Sequence, residues 1–103
     1  MSMIVQYMYT PLPGSDLAAL VESAKVCASL WKRHGVLEVS LWSVVVGEMG
    51  NFVFAVRFEN FTDYGRAYDA LQNDPEFKKW QADSVKAGNA EWVRGNIVKR
   101  IAL

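Results

Sequence analysis

The chain is poor in the side chains that most often carry chemistry. It has one cysteine, one histidine and three prolines, and its eleven basic and eleven acidic side chains cancel. With Cys27 alone, no internal disulfide and no cysteine-based zinc site can form. With His34 alone, a serine triad would have a single histidine to use, and no nucleophile elbow accompanies it. No G-x-G-x-x-G, P-loop or H-E-x-x-H is present. A metal site would have to be built mostly from carboxylates, so none is expected, and no cofactor is expected either. Zero net charge gives no electrostatic footprint for nucleic acid or an anionic membrane surface. No run approaches the roughly 20 apolar residues of a membrane span. The first ten residues lack the basic start and apolar run of a signal peptide. These absences lead us to expect a cytoplasmic protein with neither nucleic-acid nor membrane partners.

What is present is a compact amount of apolar and aromatic material. Fifty-one per cent of residues are apolar, 13% aromatic and 21% charged. A chain of 103 residues of this composition is expected to fold as one domain over residues 1–103. Low net charge does little to keep copies apart, which mildly favours association.

The clearest local pattern lies at residues 52–64. Phe52, Phe54, Val56 and Phe58 alternate with Val53, Ala55, Arg57 and Glu59, and Asn60-Phe61-Thr62-Asp63-Tyr64 then opens a helix. The hydrophobic period changes from 2 to about 3.6 at that point. Elsewhere, residues 3–10 read as a strand rich in β-formers, broken by Pro11-Leu12-Pro13-Gly14. Ser15 is expected to cap the next helix, with Asp16 in its first turn. Leu17, Leu20, Val21, Ala24, Cys27, Ala28 and Trp31 form its apolar stripe. Lys32, Arg33 and His34 end it, and Gly35 suits the C′ position. Val36–Val46 reads as a second strand. The turn Gly47-Glu48-Met49-Gly50 leads to the Phe-rich strand, which places Val45 opposite Phe52, Ser43 opposite Phe54, Leu41 opposite Val56 and Val39 opposite Phe58. A helical region from about Phe61 to Val85 falls into two pieces, restarted by Asp74 as N-cap and Pro75 at N1. A last strand runs from Glu91 to about Leu103.

The order β-α-β-β-α-β predicts an α+β, ferredoxin-like fold: an antiparallel four-stranded sheet with helices on one face. Phe52, Phe54, Val56 and Phe58 should lie beneath the helices. The other face carries Trp42, Val44, Val53 and Ala55, and a solvated face should be more polar than that. Trp42 alone can bury on the order of 200 Å², worth about 5 kcal/mol at most. We therefore expect a homodimer in which a second copy covers the face carrying Trp42, Val53, Ala55 and Arg57.

With these elements in hand, the chain resembles the dimeric α+β barrel superfamily over its whole length. The segment Asp63-Tyr64-Gly65-Arg66-Ala67, leading to Leu71-Gln72-Asn73-Asp74-Pro75-Glu76-Phe77 and Trp80, is similar to the helix of NIPSNAP-type proteins, in which an Asp-Pro-Glu step restarts the second helix. Antibiotic-biosynthesis monooxygenases share the layout. The resemblance implies the fold and the homodimer, and leaves the activity open among many.

Candidate residues follow from chemistry and position. His34, the one side chain with an unperturbed pKa near neutrality, offers acid–base or ligand chemistry, or simply a favourable cation at a helix C-terminus. A haem-degrading relative would carry a histidine on the later helix, and residues 61–85 have none. Glu38 and Glu59 are expected to face each other with Arg57 diagonal to Glu38, as a charged pocket or as an interface ion pair. Tyr7, Trp42, Arg57 and Asn96 match in type the residues with which cofactor-free monooxygenases of this fold position flat substrates. Together with His34 they form the candidate ligand-binding set. Cys27, on an apolar stripe, reads as a small buried hydrophobe. Three functions are carried forward: a small homodimer binding an aromatic or apolar organic molecule, a cofactor-independent monooxygenase-like enzyme, and a non-catalytic dimeric interaction module.

Overall fold

The computed structural model describes residues 2–103. Its elements are β1 (Met3–Pro11), α1 (Leu17–Trp31), a 3-10 turn (Lys32–His34), β2 (Glu38–Ser43), β3 (Phe52–Phe58), α2 (Phe61–Gln72), α3 (Pro75–Ala87) and β4 (Ala90–Lys99). The four strands form one sheet in the order β2-β3-β1-β4, and every neighbouring pair is antiparallel. This is the expected ferredoxin-like α+β fold, with its second helical region split in two.

The helix boundaries follow capping chemistry. Asp16, not Ser15, caps α1: its backbone is extended (φ −82°, ψ 104°) and its side chain accepts the Ala19 N–H at 3.1 Å. A carboxylate at this position satisfies an orphan donor and also answers the positive helix end. The Ser15 hydroxyl is instead buried without a hydrogen-bond partner among the described residues. Gly35 ends the 3-10 turn in the left-handed region at φ 78°, where a side chain would be strained. Asn60 caps α2 through the Asp63 N–H at 2.8 Å. Asp74 caps α3 through the Glu76 N–H at 2.9 Å, with Pro75 at the first helical position.

The β2–β3 register differs from the expected one by two residues. Ser43 lies opposite Phe52, Leu41 opposite Phe54, Val39 opposite Val56 and Glu38 opposite Arg57. The cause is the connection. Val44 N–H still bonds the Asn51 carbonyl at 2.9 Å, so six residues turn the chain where the four from Gly47 to Gly50 were expected. Gly47 and Gly50 both take positive φ inside this loop. Because the slip is even, each side chain keeps its face. The charged pairing does change: Glu38 meets Arg57 directly, not Glu59. The second strand is also shorter than Val36–Val46, and the last strand ends at Lys99 instead of Leu103.

The core fills the space between the sheet and the helices. Met3 and Val5 from β1, Val56 and Phe58 from β3, Leu30 and Trp31 from α1, and Leu71 from α2 are almost fully buried. Trp31 is the hub. Its ring lies 6.0 Å from Phe58, 6.3 Å from Tyr64 in a stacked pair, and 6.4 Å from Tyr7. Such offset and edge contacts add specificity to apolar burial. The opposite sheet face has no helix on it, and Trp42 is 60% exposed there. Among the described residues, no helix is long and apolar enough to cross a membrane.

Candidate functional site: an aromatic cleft between helices and sheet

The core does not close completely. Between α1 and α3 above, and β1 and β4 below, lies an open cleft of about 660 Å³. Strand alternation supplies its floor: Tyr7 and Tyr9 of β1 share a face, and Trp92 of β4 pairs with Tyr9 and meets both tyrosine rings edge-on. A bulge between Met8 and Tyr9 shifts the β1–β4 register at this level. Cys27, Ala24 and Trp31 line the cleft from α1; Phe77 and Trp80 do so from α3, and Tyr68 from α2.

Two contacts set the walls. The Trp80 indole N–H reaches both the Ser23 carbonyl (3.0 Å) and its hydroxyl (3.1 Å), fixing α3 to α1. Phe77 stacks on Trp80 at 5.6 Å. On the floor, the hydroxyls of Tyr7 and Tyr64 lie 2.9 Å apart. Two hydroxyls carry two protons and their mutual bond uses one, so the pair keeps one O–H for another acceptor.

The electrostatics of the cleft are simple. Burial pushes the Tyr9 phenol up to about 12 and the Cys27 thiol up to about 12. Burial, reinforced by the Tyr64 hydrogen bond, raises Tyr7 further still. Low-dielectric surroundings disfavour the charged form of each group, so all three are neutral at physiological pH. None of the lining residues is Lys, Arg or His; the lining carboxylates are Asp83 and Glu91, both exposed. Among the described residues no group of three or more His, Cys, Asp or Glu is placed to hold a metal.

The five candidate residues do not converge. Tyr7 lines the cleft. Trp42 and Arg57 lie on the helix-free face, around a shallow hollow of about 130 Å³ that also touches Gln6, Glu38 and Ala55. Asn96 pairs with Gln6 and so belongs to that same face, where it is exposed. His34 is at the end of α1, with Nε2 3.7 Å from an Asp74 carboxylate oxygen, a contact too long for a hydrogen bond. Beside it Arg33 bonds Glu76 at 2.9 Å, so this basic corner docks on the start of α3. The residues that sequence reasoning left out of the candidate set, chiefly Tyr9, Trp80 and Trp92, were visible as aromatics. Tyr9 shares a face with Tyr7 by alternation alone, but the place of Trp92 depends on the β1–β4 register and its bulge, and that of Trp80 on how α3 packs on α1, neither of which sequence reveals.

No protein-family model matches the chain, and no curated protein matches it. Solved structures do. A NIPSNAP family protein of unknown function from Agrobacterium tumefaciens superposes with a TM-score of 0.75 at 17% identity, over 96% of this chain and 87% of that one. SnoaB, a cofactor-independent oxygenase from Streptomyces nogalater, gives 0.72 at 12% identity over 99% and 95%. An uncharacterised NIPSNAP domain protein from Burkholderia xenovorans gives 0.71 at 12% over 97% and 95%. The chain therefore has the ferredoxin-like α+β fold of these NIPSNAP and oxygenase structures, as the Asp-Pro-Glu resemblance implied.

Proposed function

We propose that this protein binds a small, flat, largely apolar organic molecule in the cleft between its helices and sheet, and that it does so as a homodimer. The observation that carries the first part is the cleft itself. Eight aromatic side chains, among them Tyr7, Tyr9, Trp31, Trp80 and Trp92, surround an opening of about 660 Å³, within the usual size range for small-molecule sites. A purely structural module has no need to hold such a volume open. The oxygenase reading has SnoaB's likeness in its favour. It is second because the lining has no histidine and its two carboxylates, Asp83 and Glu91, are exposed instead of held inside against a bound ring.

The dimer is supported by what remains uncovered. Trp42 stands out from the helix-free face, and β4 is exposed along almost its whole length, including Trp92, Val93, Ile97 and Val98. Ala55 is already buried within one chain, so Trp42 is the main apolar surface a partner would cover on that face. Sedimentation equilibrium at micromolar concentration should give twice the chain mass, and Trp42→Glu should give the monomer. A wild-type monomer would overturn the dimer.

A thermal-shift screen with naphthols, quinones and flavins tests the binding reading. Ligand at about 100 times its Kd adds roughly 2.7 kcal/mol of stability, which for a chain of this size raises Tm by roughly ten degrees. No shift with any such compound would refute it.

A further inference from the structure

We infer that the cleft discriminates by charge: it accepts uncharged aromatic molecules and rejects anions of the same shape. This rests on the binding reading above. Three observations carry it. First, no lining side chain is cationic, and the lining carboxylates Asp83 and Glu91 are acids. An anion entering the cleft would shed water without gaining a counter-charge, at a cost a neutral ring does not meet.

Second, part of the interior donor set is already engaged. The Trp80 N–H is shared between two oxygens of Ser23, and the Tyr7 and Tyr64 hydroxyls bond each other. The Tyr7–Tyr64 pair keeps one hydroxyl proton, and the Tyr9 O–H and Trp92 N–H also line the cleft; neutral donors of this kind suit a carbonyl or ether but compensate poorly for a full charge.

Third, the backbone adds nothing favourable. The C-terminal turn of α3, at Ala87 and Gly88, lines the cleft and presents the negative end of a helix dipole. The positive end of α1 is near Ala19, but Asp16 already caps it and takes the Ala19 N–H. The buried Cys27, Tyr7 and Tyr9 remain neutral, so they offer no charge of their own.

The test uses two fluorophores that differ by one group: phenylnaphthylamine, which is neutral, and anilinonaphthalenesulfonate, the same ring system bearing a sulfonate. Each is titrated into the protein. The neutral probe should bind at least about tenfold more tightly. Gln81 is an exposed lining residue of α3, and Gln81→Lys adds a cation to the cleft that should raise sulfonate affinity relative to that of the neutral probe; Ser84→Lys, also in the lining, is the second variant if the first folds poorly. Equal or tighter binding of the sulfonate by the wild type, or no response to either lysine in a folded variant, overturns charge discrimination but leaves the cleft a binding site. Failure of both probes overturns the binding reading itself.

Discussion

Alkaline pH should unfold this protein through the floor of its cleft. Cys27 is nearly inaccessible, and its thiol moves from an ordinary value of 9.0 to about 12. Tyr9, 8% exposed, moves from 10.0 to about 12, and Tyr7 is raised as well. Between the two values each group is ionised in the unfolded chain and protonated in the folded one. The unfolded state then binds fewer protons, so stability must fall as pH rises. Each such group contributes a slope of up to about 1.4 kcal/mol per pH unit. Cys27 and Tyr9 together remove on the order of 7 kcal/mol by pH 12, which is comparable with the whole stability of a small domain. The assay is urea unfolding followed by circular dichroism from pH 8 to pH 12, with tyrosinate absorbance read in parallel. The interval from pH 9 to pH 10 is diagnostic, because there the thiol ionises ahead of the phenols in the unfolded chain. Cys27→Ala should flatten that interval even if the small cavity it leaves lowers stability at every pH. A wild-type profile level to pH 11, or a Cys27→Ala profile with unchanged slope, would refute the reasoning.

Two further predictions concern the scaffold. Asp74→Ala removes the α3 cap and the carboxylate facing Arg33 and His34; chemical denaturation should show a loss of about 1 to 2 kcal/mol, whereas Asp63→Ala on the exposed side of α2 should cost less. Leu71→Ala empties a site with no solvent exposure. It should cost about 3 kcal/mol in the same measurement, and a loss under about 1 kcal/mol would mean that α2 is not locked onto the sheet as described.

The fold was legible in sequence wherever local chemistry decides structure. The period change at residue 60 and the Asp74-Pro75 restart both stand as read, because capping and alternation depend on near neighbours. The β2–β3 register was not legible. It depends on how many residues between Val44 and Asn51 stay out of the ladder, and Gly47 and Gly50 allow more than one answer. Helix capping went to Asp16 over Ser15 because two adjacent residues of suitable type compete and only the backbone geometry separates them. The site was legible in kind but not in place. Aromatic residues are spread along the chain, yet only tertiary packing gathers Tyr7, Tyr9, Trp80 and Trp92 around one opening. Strand alternation, by contrast, put Trp42 and Arg57 on the far face already in sequence, and they lie there.

That division gives the most direct test of the cleft. The chain has four tryptophans, so a proton–nitrogen correlation spectrum shows four indole signals. Trp31, Trp80 and Trp92 line the cleft, while Trp42 is on the opposite sheet face. Titration with a neutral naphthol should shift the first three and leave Trp42 in place. Movement of Trp42 alone, or of none of the four at saturating naphthol, would contradict the account.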